Sequence, residues 1–152
     1  MRSWDFMPDA RLGPHGAISA AFLDRDATDY RAAARIVCGL PYGRNTNRDD
    51  SLAVLCEGRG TCGTKHALLA RLALEQGLAI DLMLGIYAMD GRNTPGVENV
   101  LRRYGLDSIP EAHCYLMYRT ERVDVTRAAV AAESIAEFLF EQAITPHQIG
   151  EY

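Results

Sequence analysis

The segment that decides the fold of this chain runs from residue 58 to residue 77 and reads GRGTCGTKHALLARLALEQG. It predicts a helix over Cys62–Gln76, with Thr61 as the N-cap and Gly77 as the residue that stops it. Apolar side chains cover more than half of the circumference of this helix: Leu68, Leu69, Leu72, Ala73 and Leu74. A helix of this kind is largely buried, and we expect it to be a central element packed between others.

The cysteine at the start of this helix is the first candidate for chemistry. Cys62 would lie in the first turn, where backbone N–H groups lack helical partners and the positive end of the helix dipole is felt. Both effects favour thiolate over thiol, and the thiolate is the nucleophilic form of cysteine. Cys62 is therefore our candidate nucleophile.

Apolar spacing and turn residues predict further helices on both sides of this segment. One helix is expected over Ala17–Leu23, and a second from a cap at Asp26 or Thr28 to Val37 or Cys38, with Gly39 after it. Thr94 with Pro95 predicts a third helix that runs to about Tyr104, where Gly105 stops it. The alanine-rich residues 128–143 predict a fourth. Residues 51–57 fit either a short strand or a helical turn.

Strand patterns lie between the later helices. Apolar and polar residues alternate over residues 79–89, which predicts a strand. Residues 112–118 and 122–126 form a second pair of runs, which predicts a hairpin with its turn near Arg119 and Thr120. Helices come first, an antiparallel sheet follows and a helix comes last, so the predicted fold class is α+β.

The predicted hairpin carries a histidine and an aspartate. Side chains alternate faces along a strand, so His113 shares a face with Tyr115, while Cys114 faces the core. The turn can place Asp124 opposite His113 or diagonally next to it, within side-chain reach. The carboxylate would then accept a hydrogen bond from one ring nitrogen and leave the other for Cys62. An ordinary exposed ion pair is the alternative that the hairpin alone allows.

Three segments share a pattern with a known family. They are residues 60–69 (GTCGTKHALL), 112–116 (AHCYL) and 123–126 (VDVT). Together they resemble the motifs of the transglutaminase-like superfamily, which is similar to papain-like thiol enzymes. The resemblance implies an α+β, papain/transglutaminase-like fold with the nucleophile helix packed against a small antiparallel sheet. It also implies a catalytic triad of Cys62 as nucleophile, His113 as general base and acid, and Asp124 as the group that orients the histidine.

Two positions depart from the family pattern. Tyr115 stands where the family usually has tryptophan, and Val125 stands where it usually has proline; neither change removes a reacting atom. The implied reaction is acyl transfer or hydrolysis at an amide-type bond through a thioester on Cys62, which water or an amine then resolves. The implied substrate is a peptide, a protein or a small amide, and no cofactor is expected.

Other residues are candidates for contacting the substrate or the oxyanion. The Cys62 backbone N–H is one expected oxyanion donor, and Tyr42, Asn45 or Asn47 would supply the second. Tyr115 is a further candidate of this kind.

Lys65 and His66 follow Cys62 on the same helix. Lys65 would line the cleft or favour the thiolate, although we prefer a solvated lysine. His66 lies one turn after Cys62 and would be an alternative base, a partner of the site or a buried hydrogen-bonded histidine. We favour the structural role for His66, because first-turn geometry directs the Cys62 side chain away from the helix body.

Two rival functions remain open from the sequence. Four side chains are capable of binding zinc: Cys62, His66, His113 and Cys114. Their spacing is unlike that of common structural zinc sites, and adjacent residues of a strand point to opposite faces, so we expect no metal. The second rival is a non-catalytic binding module that keeps the fold.

Composition bounds the environment of the chain. The sequence has 152 residues, a net charge of −4 and 48% hydrophobic residues, which is typical of one globular domain and argues against a nucleic-acid partner. Residues 1–16 are expected to form an irregular arm. We see no secretory signal and no stretch long enough to span a membrane. The four cysteines therefore predict reduced thiols in a cytoplasm, while the sequence does not indicate an oligomeric state.

Overall fold

Helices occupy the first half of the chain and a sheet occupies most of the second. The computed structural model describes residues 3–128 and 135–150. Its α-helices are α1 (Ala17–Leu23), α2 (Tyr30–Gly39), α3 (Ala53–Glu57), α4 (Cys62–Gln76) and α5 (Glu98–Arg103). Its strands are β1 (Ile80–Met89), β2 (Ile109–Tyr118), β3 (Glu121–Val123) and β4 (Phe140–Ile144). Short 3₁₀ helices cover Ser3–Phe6 and Pro146–Gly150. The predicted α+β class is confirmed.

Helix α4 is the central element, as the sequence predicted. Thr61 and Thr64 form a reciprocal capping box at its start, and Gly77 ends it in the left-handed conformation with φ of 64°. One side of α4 packs against β1 and β2, and the other packs against α1 and α2. Its buried leucines join a core that also contains the inward side chains of the sheet. The residue that opens α4 is therefore held by the best-packed part of the protein.

The four strands form one antiparallel sheet in the order β3-β2-β1-β4. The hairpin of β2 and β3 turns at Arg119, which has a positive φ of 57°, as the sequence predicted. Strand β3 pairs with β2 over three positions, from Tyr118↔Glu121 to Leu116↔Val123. Within the part of the chain that the structure describes, no strand pairs on that side with the part of β2 that precedes Leu116.

Several sequence-based boundaries are corrected, and the second strand of the hairpin covers Glu121–Val123 instead of residues 122–126. Helix α2 is capped by Asp29, whose side chain accepts a hydrogen bond from the Ala32 backbone at 2.7 Å. Neither predicted cap serves, because Asp26 has a positive φ of 60° and the Thr28 carbonyl accepts a hydrogen bond from Leu12. Residues 51–57, which the sequence left open, contain the helix α3.

Helix α5 starts later than Thr94 and Pro95 predicted. Gly96 has φ of 97°, which interrupts a helix, and α5 begins only at Glu98. The predicted helix over residues 128–143 is wrong where it is described: residues 135–139 are not helical, and residues 140–144 form β4 on the edge of β1. Residues 129–134 of that prediction lie outside the described residues. Pairing with β1 is a tertiary interaction, and it overrides the local helix propensity on which the prediction was based.

Helix α1 depends on a carboxylate from α4. Gly16 precedes α1 and has no side chain to cap it. Glu75, near the end of α4, instead accepts hydrogen bonds from the backbone N–H groups of Ile18 at 3.1 Å and Ser19 at 2.7 Å, and from the Ser19 hydroxyl. The carboxylate thus satisfies first-turn donors of another helix and joins the two helices.

Among the described residues, no helix combines the length and the apolar character needed to cross a membrane.

Substituting Glu75 tests this cap. Glu75→Ala should lower the free energy of unfolding by about 1–2 kcal/mol, because two backbone donors of α1 lose their acceptor. Urea unfolding followed by circular dichroism measures the change. Glu121→Ala removes an exposed carboxylate on β3 and serves as the control. Equal losses in the two variants would contradict the capping role.

Candidate active site

Cys62 is the first residue of α4 and meets β2 at the edge that β3 leaves uncovered. The groups that act on its sulfur are the His113 side chain and the backbone N–H of Cys114. Burial alone raises the pKa of a thiol, but these two donors and the charge of His113 outweigh it, so the pKa of Cys62 lies below its ordinary value. The geometry therefore favours a thiolate.

His113 is held between the thiol and a carboxylate. Its Nε2 donates a hydrogen bond to Oδ2 of Asp124 at 2.8 Å, which leaves Nδ1 for Cys62. Burial lowers the pKa of His113, but the hydrogen bonds and charges of Asp124 and Cys62 raise it to about 10. The histidine is therefore an imidazolium at neutral pH, and its positive charge favours the thiolate form of Cys62.

Asp124 lies directly after β3, and a backbone N–H two residues later holds its carboxylate. Because Leu116 pairs with Val123, Asp124 continues the register opposite Tyr115, and His113 is its diagonal neighbour. Its Oδ1 accepts a hydrogen bond from the Thr126 N–H at 2.8 Å. Burial raises the pKa of Asp124, but the hydrogen bonds from His113 and Thr126 hold it well below its usual range. The three residues that the sequence predicted as a triad are thus brought together.

His66 connects the nucleophile to the segment that carries the carboxylate. Its side chain is fully buried; Nδ1 donates to the Cys62 carbonyl at 2.7 Å, and Nε2 accepts the Val125 N–H at 2.9 Å. Burial is the main reason that the pKa of His66 falls to about 4, so the ring is neutral. With Nε2 unprotonated, its 3.6 Å approach to Oδ1 of Asp124 is not an ion pair. This arrangement agrees with the structural role preferred from the sequence.

The preferred interpretation of Lys65 as a solvated residue is wrong. Lys65 has no exposed surface, and its Nζ donates to the carbonyl oxygens of Leu40 and Thr126. It does not line the cleft either, since its ammonium group is committed to these two backbone acceptors. Burial lowers the pKa of Lys65.

Among the three proposed oxyanion donors, Tyr42 is near enough to Cys62 for the charge of the thiol to act on its hydroxyl. Burial and the nearby charge of Cys62 raise the pKa of Tyr42, so its hydroxyl stays protonated. The guanidinium of Arg127 covers the Tyr42 ring at 5.0 Å. The side chain of Asn45 instead donates to Arg59 O and accepts from the Thr64 hydroxyl, which ties its loop to the start of α4.

Asn47 and Tyr115 are engaged in other contacts. Asn47 lies in an exposed turn, where its side-chain oxygen accepts the Asp49 N–H at 3.0 Å. Tyr115 is buried; its hydroxyl donates to Glu141 on β4, and its ring stacks on Phe138 at 5.2 Å. Tyr115 therefore anchors β4 and does not contact the reacting groups.

Sequence reasoning missed the aromatic wall beside His113. Tyr87 meets the His113 ring edge-to-face with centroids 6.2 Å apart, and Phe138 packs against Tyr87 at 6.3 Å. Gly85 pairs with His113 across the sheet, and a Cβ there would lie 2.3 Å from the Phe138 ring. Only the strand register brings these residues together, and no local pattern in the sequence signals it.

The zinc-capable residues do not form one cluster. Cys114 points into the core, where burial raises the pKa of its thiol to about 12, while His66 uses both nitrogens in backbone hydrogen bonds. Within residues 3–128 and 135–150, no group of three or more histidine, cysteine, aspartate or glutamate side chains is arranged to hold a metal.

The neutral state of His66 predicts a loss of stability in acid. Its folded pKa is about 4 and its ordinary value is 6.5, so the unfolded chain binds a proton that the folded chain excludes between these values. The contribution of His66 to stability is therefore complete above about pH 6.5 and falls by up to about 3 kcal/mol as the pH drops to about 4. Urea unfolding across this range measures the fall.

Two variants identify the residue responsible for this pH dependence. His66→Leu removes the titrating ring and should weaken the pH dependence, although two unpaired backbone groups lower stability by about 2–3 kcal/mol at neutral pH. His15→Gln changes an exposed histidine and should keep the wild-type pH dependence. An unaltered pH dependence in His66→Leu would assign the effect to other groups.

Comparison of the chain with protein-family models, with curated proteins and with solved structures found no match.

Proposed function

We propose that the protein is a thiol hydrolase or acyltransferase that acts on amide-type bonds through Cys62, His113 and Asp124. One observation carries the proposal: the imidazole of His113 is hydrogen-bonded to the Asp124 carboxylate and acts on the Cys62 sulfur at the start of a buried helix. If His113 and Asp124 were only a surface ion pair, no cysteine would be expected beside the histidine. If Cys62 were only a packing residue, no lowering of its pKa would be expected. The arrangement therefore favours nucleophilic catalysis over packing alone.

A papain/transglutaminase-like relationship is part of this proposal. The nucleophile opens a buried helix that packs against β2; the histidine lies on β2, and the aspartate directly follows β3, the antiparallel partner of β2. This order and placement support the resemblance of the three sequence motifs. The departures at Tyr115 and Val125 affect packing, because both side chains are buried.

The reaction would start from the thiolate–imidazolium pair. The Cys62 thiolate attacks the carbonyl carbon, and the negative charge moves to the carbonyl oxygen. The Cys62 N–H and the protonated hydroxyl of Tyr42 are suited to bind that oxygen. His113 then gives its proton to the departing amine, and a thioester remains on Cys62.

The same histidine would complete the cycle. After the first step His113 is neutral, so it can accept a proton from water or from an amine that attacks the thioester. Asp124 keeps its hydrogen bond to Nε2 and stabilises each imidazolium that forms. A peptide, a protein or a small amide is the proposed substrate, and a reducing cytoplasm would keep the thiol active.

Thiol alkylation tests the ion pair without a known substrate. Iodoacetamide should modify Cys62 faster than Cys56 at neutral pH, because the pKa of Cys62 is lowered by His113. Cys56 is exposed and controls for access to the reagent. His113→Ala should slow the alkylation of Cys62 by about tenfold, since the thiolate loses its partner.

Turnover separates an enzyme from a binding module. With p-nitrophenyl acetate as a generic acyl donor, mass spectrometry should detect an acylated Cys62. Cys62→Ala should abolish nitrophenolate release while circular dichroism stays unchanged. Equal alkylation of Cys62 and Cys56, together with no acylation, would leave only the non-catalytic module.

The proposed oxyanion role of Tyr42 makes a kinetic prediction. Tyr42→Phe should lower kcat for p-nitrophenyl acetate by about 10- to 100-fold, because one donor to the oxyanion is lost. The alkylation rate of Cys62 should stay close to wild type, since alkylation forms no oxyanion. Tyr104→Phe, at a tyrosine that is 70% exposed, is the control. Equal loss of kcat and of alkylation in Tyr42→Phe would show that Tyr42 acts on the thiol instead.

A further inference from the structure

Lys65 is the one lysine in the chain, and the other members of its 16 lysine and arginine residues are all arginine. It is also completely buried, which is rare for a lysine. Its Nζ donates to the Thr126 carbonyl at 2.8 Å and to the Leu40 carbonyl. The stem passes over Gly60, where a Cβ would come within 2.8 Å of the Lys65 Cγ. The surroundings are thus shaped to admit this side chain.

The chemistry of the slot explains why an arginine does not occupy it. Two backbone carbonyls receive the ammonium group, and no carboxylate of the described residues forms an ion pair with it. A guanidinium has five N–H donors and would leave most of them unsatisfied here. The charged groups that act on Lys65 are Cys38, Asp124 and Arg127. Burying a cation in this way lowers the stability of the fold, so packing alone does not explain a lysine at this position.

The two carbonyls belong to the two segments that border the proposed site. Thr126 follows Asp124 by two residues, and its N–H holds the Asp124 carboxylate. Leu40 precedes Tyr42 by two residues. Lys65 and His66, which are neighbours on α4, therefore hydrogen-bond to two neighbouring residues. Lys65 binds the Thr126 carbonyl, and His66 binds the Val125 N–H. Both contacts originate on the helix that begins with Cys62.

We propose that Lys65 is a positioning residue that ties the Asp124 segment and the Tyr42 segment to the nucleophile helix, so that the carboxylate stays on His113. This inference rests on the proposed function for its purpose, although the contact can be tested without turnover. Lys65 does not touch the reacting atoms. Its effect passes through the Thr126 backbone to Asp124 and from there to the imidazole.

The test measures His113 in a chain that has no thiolate. In Cys62→Ala, the hydrogen bond to Asp124 remains the main favourable influence on His113, so the histidine pKa from an NMR titration reports the carboxylate. Adding Lys65→Met keeps the apolar stem and removes the donors. The pKa of His113 should then fall by about one pH unit or more, because Asp124 is no longer fixed beside it. Groups facing His113 that stay constant are His66 and Tyr87.

A matched control separates positioning from general destabilisation. Leu72→Ala removes a buried leucine from the same helix and should lower the melting temperature without moving the His113 pKa. In the chain that retains Cys62, Lys65→Met should also slow iodoacetamide alkylation at neutral pH by about tenfold, whereas Leu72→Ala should not. An unchanged His113 pKa in folded Lys65→Met, or an equal shift in Leu72→Ala, would overturn the proposal.

Two further measurements apply if Lys65→Met does not fold. Lys65→Gln keeps two N–H donors on a shorter stem and should leave the His113 pKa between the values for the lysine and methionine chains. Nitrogen labelling of the single lysine in the unsubstituted chain should give one ammonium signal that exchanges slowly with water. Rapid exchange, or a wild-type His113 pKa in Lys65→Gln, would reject the proposal. Loss of acylation with an intact Lys65 effect would reject only the proposed function.

Discussion

The early end of β3 is the constraint on which the site depends. Because β3 pairs with β2 over only three positions, no described strand pairs with Cys114 on that side, and its N–H can act on the sulfur. Asp124 directly follows β3, and its carboxylate accepts a hydrogen bond from His113. A longer β3 would satisfy the Cys114 amide by sheet pairing and would close the edge that the N-terminus of α4 now fills. Incomplete pairing at one edge thus provides the contact between helix and sheet.

Polar groups buried beneath this contact make the arrangement specific. A wholly apolar α4 would pack on the sheet, but it would bind no particular backbone group of the segment after β3. His66 and Lys65 supply directional hydrogen bonds to Val125 and Thr126, and each has a cost in desolvation. The neutral ring of His66 and the two carbonyl acceptors of Lys65 reduce that cost. If α4 packed against the sheet in another position, His66 and Lys65 would lose their hydrogen-bond partners. Leaving such buried polar groups unsatisfied costs more free energy than the loss of an apolar contact.

Local signals in the sequence were sufficient where an element depends on its own residues. Thr61 and Gly77 defined both ends of α4, since capping involves groups only a few residues apart. Alternation along β2 and the turn at Arg119 were enough to propose the encounter of His113 and Asp124. Alanine content was misleading at β4, because the partner that makes it a strand is the distant edge of β1.

The wrong predictions for polar residues have the same cause, because the partners of these residues are distant in the sequence. The acceptors of Lys65 lie 25 and 61 residues away along the chain, so nothing near Lys65 indicates that it is buried. Tyr87 meets His113 only because of the register between β1 and β2. The loop amides gave the opposite error: Asn45 and Asn47 were plausible donors by composition, but the folded loop uses them to hold its own shape. Hydrogen-bond partners were therefore the least predictable part of the site.

The burial of Lys65 also bears on what this chain can do to itself. An acyltransferase that accepts amines meets its own surface lysines at high local concentration, and each could receive the acyl group as an isopeptide. This chain has a single lysine, and that lysine is enclosed. Its other basic residues are arginines, which carry positive charge without providing a nucleophilic amine, because a guanidinium stays protonated. As long as the fold is intact, none of its lysine side chains can compete with an external acceptor.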